Sequence, residues 1–306
     1  MLQKMQHRNP GMLLRIAMAD ACAMAVEYND ALLAECLKFQ GYLAHPTHGL
    51  LPGDYTDDTE MSIANTKVLI QHSRHFTPLM FAEAYVNEFQ LGGRRKGYSR
   101  AFQNILERVS TGEELLATVK GDSPKNGAAM RAVPFGVLPI IEPMLELATM
   151  QACITHDTHE GRFSARAVAL MSHFALYTDL HFSCIGDYCL RRLPPEDALC
   201  FGYVFSQPWP GTPVKEYPWA SVAITTVHAV ADVLAREQSL MDILKRVIIW
   251  GGDTDSVAAI AWGIASARYQ DERLPAFFER DLEARNPFSC AAYLRVLGEQ
   301  LMDKYK

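Results

Sequence analysis

Two short acidic segments hold most of the chemistry that the chain's residue types offer. The first is Pro52-Gly53-Asp54-Tyr55-Thr56-Asp57-Asp58-Thr59-Glu60, with four carboxylates in seven residues. The second is Gly251-Gly252-Asp253-Thr254-Asp255-Ser256. Each precedes a run with helical spacing, so each reads as a loop feeding a helix N-terminus, where free N–H groups and the helix dipole favour negative charge. Capping accounts well for one Asp or Thr per helix. It accounts poorly for Asp57-Asp58 together with Asp253-x-Asp255. The glycines at 53, 251 and 252 imply tight backbone, and the adjoining apolar runs imply burial. Buried like charges about 4 Å apart repel by roughly 4 kcal/mol at an effective dielectric of about 20, so such a cluster calls for a compensating cation. Oxygen donors with no Cys or His among them suit a hard divalent ion, Mg²⁺ or Mn²⁺, better than Zn²⁺. Asp57 and Asp58 are adjacent and diverge; Asp253 and Asp255 are two apart and can point the same way from extended backbone. With the hydroxyls of Thr56 and Ser256, the two segments could hold two ions bridged by one carboxylate. That arrangement suits hydrolysis, because one ion can activate water while both orient substrate oxygens.

Helices must position these loops. Met61, Ala64, Val68 and the Leu69/Ile70 pair recur at three- and four-residue steps and predict a helix over 58–72. Val222, Ala223, Thr226, Val227, Val230, Ala231 and Leu234 predict another over 220–234. Residues 256–268 are small and apolar on nearly all sides, which predicts a central helix closely packed by its neighbours. Only the run Val247-Ile248-Ile249-Trp250 reads as a strand, and the Pro- and aromatic-rich residues 190–218 read as a long surface excursion. The expected architecture is all-α, ten or more helices in a single domain over 1–306.

Composition sets the outer bounds. The 306 residues are 49% hydrophobic and 21% charged, too apolar for a disordered chain. Twenty-nine Lys+Arg against 35 Asp+Glu give a net charge of −6, which argues against a nucleic-acid partner. No stretch approaches the roughly 18 uncharged apolar residues of a membrane span, and Asp20 interrupts the one N-terminal run that could resemble a signal segment. The seven cysteines are odd in number and form no CxxC, as expected for reduced, mostly buried thiols in a cytoplasmic protein. His156 and His159 lack a third ligand at zinc spacing and read as a pocket histidine or a solvated pair. Arg94-Arg95-Lys96 and Arg191-Arg192 read as solvated faces, the first able to face an acidic target, and Trp209 and Trp219 as part of a lid or an interface.

Thr56-Asp57-Asp58-Thr59 after Pro52-Gly53, and Gly251-Gly252-Asp253-Thr254-Asp255-Ser256-Val257-Ala258-Ala259-Ile260-Ala261, resemble the two signatures of the ADP-ribosylglycohydrolase family, of the dinitrogenase reductase-activating and ADP-ribosylarginine hydrolase type. Gly97-Tyr98-Ser99 resembles its Gly-Tyr-Gly segment, Asn126-Gly127-Ala128-Ala129-Met130-Arg131 its Asn-Gly-Ala-x-Met-Arg segment, and Thr155-His156 its Thr-His element. These landmarks fall in order over about residues 12–270. The resemblance implies an all-α fold around two Mg²⁺ and cleavage of the bond from the ribose anomeric carbon to an acceptor on a protein or a small ADP-ribose conjugate. It implies Thr56, Asp57, Asp58, Asp253, Asp255 and Ser256 as metal ligands and places the acidic Glu27 where it can approach metals and substrate. Gly97, Asn126, Gly127, Ala128 and His156 would contact substrate, the last near the distal ribose or diphosphate. Proton handling falls to Glu27 or to the Asp57/Asp58 pair, and arginine is the first acceptor to expect. Ala19, Ala23 and Ser99 stand where the family has glycine, Ser256 where it commonly has threonine.

Other readings have less support. Val-Ile-Ile-Trp-Gly-Gly-Asp-Thr-Asp resembles the start of an aspartyl phosphatase, but too little chain follows it. Asp57-Asp58-Thr59-Glu60 resembles the DDxxD of isoprenoid synthases, but Met61 stands where the last acid belongs. A non-enzymatic, ADP-ribose-binding descendant of the fold is the alternative. The completeness of both acidic segments favours the enzyme.

Overall fold

The computed structural model describes residues 4–283 and 290–306. Seventeen α-helices and three short 3₁₀ helices make up the described chain, and its only β pairing consists of isolated bridges. The fold is all-α, as expected.

Helix Met12–Ala23 and helix Thr254–Ala265 form the central pair. Ala17, Ala21, Ala258, Ala261 and Ala265 are wholly buried, and Gly263 faces Ile16 and Val133. Small side chains let the two backbones approach closely, which is why the alanine-rich run reads as central. Every residue of Thr254–Ala265 is buried, and Trp262 donates its indole N–H to the Leu240 carbonyl at 2.6 Å. One helix of the pair ends just before Glu27, and the other begins within the second acidic segment. Their packing brings those ends together: Thr254 Oγ1 donates to the carbonyl of Ala23 at 2.9 Å. Helix Asp57–Gln71 packs on Met12–Ala23 and buries Met61, Ala64, Val68 and Leu69, the stripe its spacing predicts. The 19-residue helix His159–Tyr177 lies against Ile141–Thr155 on the far side.

Two expectations need correction. Val247-Ile248-Ile249-Trp250 is not a strand but the last turn of helix Leu240–Trp250. Leu240, Ile243, Leu244, Val247 and Ile248 are buried at three- and four-residue steps while Ile249 is 51% exposed, so the run is helical once the residues before it are counted. Residues 190–218 are also not one surface excursion. They contain helices Pro195–Phe201 and Tyr203–Ser206. Trp209 is buried against His228 and Trp250, so it is no lid residue, whereas Trp219 is exposed and stacks on Tyr217. Among the cysteines, 22, 36 and 189 are buried, 153, 184 and 290 half-buried, and 200 exposed.

Candidate active site

The first acidic segment is held from below by a residue that the sequence did not single out as part of the site. Asp20, fully buried in Met12–Ala23, accepts from the Thr56 N–H at 3.0 Å, the Thr59 N–H at 3.2 Å and the Thr59 hydroxyl at 2.6 Å. Burial pushes its carboxyl up to about 6 despite these bonds. Thr56 caps helix Asp57–Gln71, accepting from the Asp58 N–H and donating its hydroxyl to Asp58 Oδ2 at 3.2 Å. Capping is thus real, as is the clustering it does not explain.

The second segment is fixed by backbone pairing. Gly251 and Gly252 have φ of 75° and 83°, a region costly for residues with a side chain. The Val214 N–H donates to the Gly251 carbonyl at 2.9 Å, and the Asp253 N–H donates to the Val214 carbonyl at 2.8 Å. A β-carbon on Gly252 would lie 2.1 Å from the Val214 oxygen. Val214 therefore clamps this loop.

The two segments face one another. The Ser256 hydroxyl favours the charged forms of both Asp58 and Asp253. Asp57, Asp58 and Asp255 hold their protons well above the usual carboxylate range. Burial is the first cause in each, and repulsion follows, from Asp20 and Asp253 on Asp57 and Asp58, and from Glu27 and Asp58 on Asp255. Asp58, Asp253 and Asp255 each leave one buried oxygen with no hydrogen-bond partner. Unpartnered buried carboxylate oxygens are costly, and oxygen-only donors suit a hard divalent cation. The Thr56, Asp57, Asp58, Asp253, Asp255 and Ser256 set fits the two ions that the resemblance implies.

Glu27 joins this cluster from the end of the central helix. Tyr28, at φ 48°, donates its N–H to the Gly252 carbonyl at 2.9 Å and its hydroxyl to Asp253 Oδ2 at 3.3 Å. Burial, then Asp253 and Asp57, hold the Glu27 proton well above the usual range. Glu27, His45 and His48 also bring ligand-type atoms within 4.8 Å of one another. The hydrogen bonds favour a brace over an ion site. His45 Nδ1 accepts from the N–H groups of Thr47 and His48, both at 3.1 Å, so Nε2 carries the hydrogen and donates to the Glu27 carbonyl at 3.1 Å. A metal on Nε2 would need the opposite tautomer. His48 stacks on His45 and sets Nδ1 3.4 Å from Glu27 Oε2.

The remaining expected residues lie as follows. Asn126 donates to Thr226 Oγ1 at 3.1 Å and stabilises the charged form of Asp253, so it borders the second segment. Gly127 opens a helix of only four residues and lies against the His156 ring. Ala128 is fully buried, and its carbonyl accepts from Gln151 Nε2. Gly97 packs against Thr56, beside the first acidic segment and not the 126–127 loop. His156 is buried, and His159 pairs with the buried Asp197 at 3.1 Å.

Arg95 departs most from its sequence reading. Arg94 and Lys96 are exposed, but Arg95 is buried. It lies 4.0 Å above the Tyr55 ring and pairs with Glu60 at 2.9 Å and with Glu283. It ties helix Asp57–Gln71 to Glu283 in the C-terminal part of the chain. Arg95→Met removes the buried cation between Glu60 and Glu283 and should cost about 3–5 kcal/mol of unfolding free energy, read from urea denaturation.

Comparison with known proteins agrees with this geometry. Residues 1–306 match the sequence profile of ADP-ribosylglycohydrolase. The chain belongs to the ADP-ribosylglycohydrolase family. It is accordingly a glycosidic-bond hydrolase. ADP-ribosylhydrolase ARH3 of Xenopus tropicalis is 24% identical over 267 residues, covering 72% of this chain and 75% of that protein. The ARH3 of Gallus gallus is 25% identical over 281 residues, covering 75% and 74%. A solved structure titled ADP-ribosylglycohydrolase-related protein complex shares the fold, with a TM-score of 0.74 at 23% identity over 98% of this chain and 99% of that one. Among the described residues, no helix of this ADP-ribosylglycohydrolase is long and apolar enough to cross a membrane.

Proposed function

We propose that the chain is a Mg²⁺-dependent hydrolase that frees ADP-ribose from a modified protein side chain, with ADP-ribosyl-arginine as the first substrate to test. One observation carries this reading. Three unpartnered oxygens, from Asp58, Asp253 and Asp255, belong to one carboxylate cluster with Glu27. The four ligand carboxylates Asp57, Asp58, Asp253 and Asp255 would balance the charge of two divalent ions. Arginine as the acceptor rests on the resemblance to the ADP-ribosylarginine hydrolase type.

When bound, the two ions would supply Lewis-acid binding of ribose hydroxyls and a more acidic water. The chain's own residues do the rest. Asp20 and Thr59 fix the turn that presents Thr56, Asp57 and Asp58. Tyr28 orients Asp253 and anchors the backbone next to Glu27. The Glu27 carboxyl, whose proton burial and the neighbouring Asp253 and Asp57 hold above the usual range, passes it to the departing acceptor and takes one back from water as the oxocarbenium-like centre is quenched. Asn126 and His156 border the space left for the remainder of the nucleotide.

The assay is release of free ADP-ribose from arginine- and serine-linked protein, with Mg²⁺ and with chelator. The reading requires Mg²⁺-dependent release from the arginine-linked substrate. Binding of ADP-ribose without release from either would indicate the non-enzymatic alternative.

Stability should follow the same electrostatics. The carboxyls sit above their unfolded values, 3.8 for Asp, with Asp20 at about 6 and Asp57, Asp58 and Asp255 also raised by burial and mutual repulsion. Their contribution is complete below the unfolded value and is lost as pH rises through the folded ones. Metal-free protein should therefore melt progressively lower as pH rises from about 4 through about 6. Saturating Mg²⁺ at about 100 times its Kd should restore about 2.7 kcal/mol, or roughly 5 °C. That gain should shrink towards zero at about pH 5, where protons compete for the same oxygens. Scanning calorimetry at the two pH values checks it.

A further inference from the structure

The Asn-Gly-Ala-x-Met-Arg and Thr-His landmarks each contain a residue that the mechanism leaves without a role, Arg131 in the first and Thr155 in the second. Arg131 is 1% exposed, and among the described residues no carboxylate pairs with it. It donates to Gln151 through Nε and Nη2, to Met61 Sδ, and through Nη2 to Thr155 Oγ1 at 2.8 Å, with its guanidinium 4.7 Å above the Tyr85 ring. Burying a lone guanidinium is expensive, and packing alone does not call for one.

Hydrogen counting shows what it does. Arginine only donates, so Thr155 Oγ1 must accept from it. The hydroxyl keeps its single hydrogen, and the other neighbour of Oγ1 is His156 Nδ1, at 2.6 Å. A hydrogen on Nδ1 would leave the Thr155 hydroxyl hydrogen with no acceptor, a costly state for a buried group. Nδ1 therefore accepts, and Nε2 carries the hydrogen. The Cε1–Nε2 edge of the ring lies over Gly127: a β-carbon there would be 2.6 Å from Cε1 and 2.9 Å from Nε2. Among the described residues nothing accepts from Nε2. Burial, then the charges of Arg131 and Lys125, keep the ring neutral at physiological pH.

We infer that Arg131 and Thr155 are positioning residues that lock His156 as its Nε2–H tautomer and aim this N–H across Gly127 at an anionic oxygen of the ligand. The positive potential of Arg131 and Lys125 favours the substrate's diphosphate over a neutral group at this point. Identifying the ligand rests on the proposed function; the tautomer itself does not.

Two measurements on the full-length protein test it. Long-range ¹H–¹⁵N spectra of protein labelled on its ten histidines, with His156 assigned from a His156→Gln variant, report the tautomer without any ligand. Calorimetric titration with ADP-ribose reports the contact. Wild type should show protonated Nε2 and bare Nδ1, unchanged across neutral pH. Thr155→Val should lose the fixed tautomer and weaken ADP-ribose binding about tenfold, with kcat at saturation little changed. Thr155→Ser should restore both. Protonated Nδ1 in the wild type, or a Thr155→Val protein with unaltered tautomer and Kd, overturns the relay. If wild type binds no ADP-ribose while His156 is Nε2–H, the proposed function fails and the relay stands.

Discussion

Replacing Asp57 and Asp255 together by asparagine should abolish Mg²⁺-dependent ADP-ribose release, with a loss of the order of 10³ or more, while helical circular dichroism is kept. The same change should raise the melting temperature of the metal-free protein. Both results have one cause. Burial holds these two carboxyls well above their usual range, and Asp20 and Glu27 respectively are the largest charge contributions. In the absence of a cation, ionising them near neutral pH works against the fold. Asparagine has nearly the same shape and no charge, so the repulsion goes and the packing stays. The cation site loses two of its charged oxygens at the same time, so the gain in melting temperature on adding Mg²⁺ should disappear. A variant that merely damaged the core would instead melt lower with and without the ion. Full activity in the double variant would discard the metal site.

The site's central pairing was legible because its signal is local and chemical. Adjacent acids beside tight glycines, once buried, must either take up protons or meet a counter-charge, whatever the surrounding fold. The helices were legible for a similar reason, since Met61, Ala64, Val68 and Leu69 reveal their period within one window. What escaped the sequence depends on partners distant along the chain. Asp20 takes its role from Thr56 and Thr59, some 36 and 39 residues later. Arg95 sits in a basic run that looks solvated until Glu60 and Glu283 close around it, 35 and 188 residues away. Val247–Trp250 misled for the opposite reason: four residues suffice to show β-branching but not a 3.6-residue period, and Leu240, Ile243 and Leu244 supply it. Trp209 and Trp219 are ten residues apart in the same Pro-rich stretch, yet one is core and the other is exposed. Trp209 finds Asp232, His228 and Trp250, all later in the chain, and Trp219 only its neighbour Tyr217 among the ring contacts of the described residues.

Glu27→Gln should separate proton transfer from metal binding. Glu27 stands at the edge of the acidic cluster, positioned by the chain itself: His45 donates to its carbonyl, His48 lies against its carboxylate, and the next residue is tied to Gly252. The variant should therefore keep the Mg²⁺-induced rise in melting temperature and bind ADP-ribose with affinity close to wild type. Its kcat should fall by about 10²–10⁴, the usual worth of a positioned acid or base. Burial, with Asp253 and Asp57 next in size, keeps the wild-type carboxyl protonated well above the range of a free glutamate, and a group that must protonate a leaving amine at neutral pH needs that property. The pH–rate profile of the variant should accordingly lose the limb set by this group. Substrates whose acceptor is already a good leaving group should lose less rate than arginine-linked ones, because they need less protonation as they depart. A Glu27→Gln enzyme within a factor of about three of wild type on every substrate would pass the proton to Asp57 or Asp58, since an amide supplies no comparable acid. In that case Asp57→Asn or Asp58→Asn, and not Glu27→Gln, should remove that limb of the pH–rate profile.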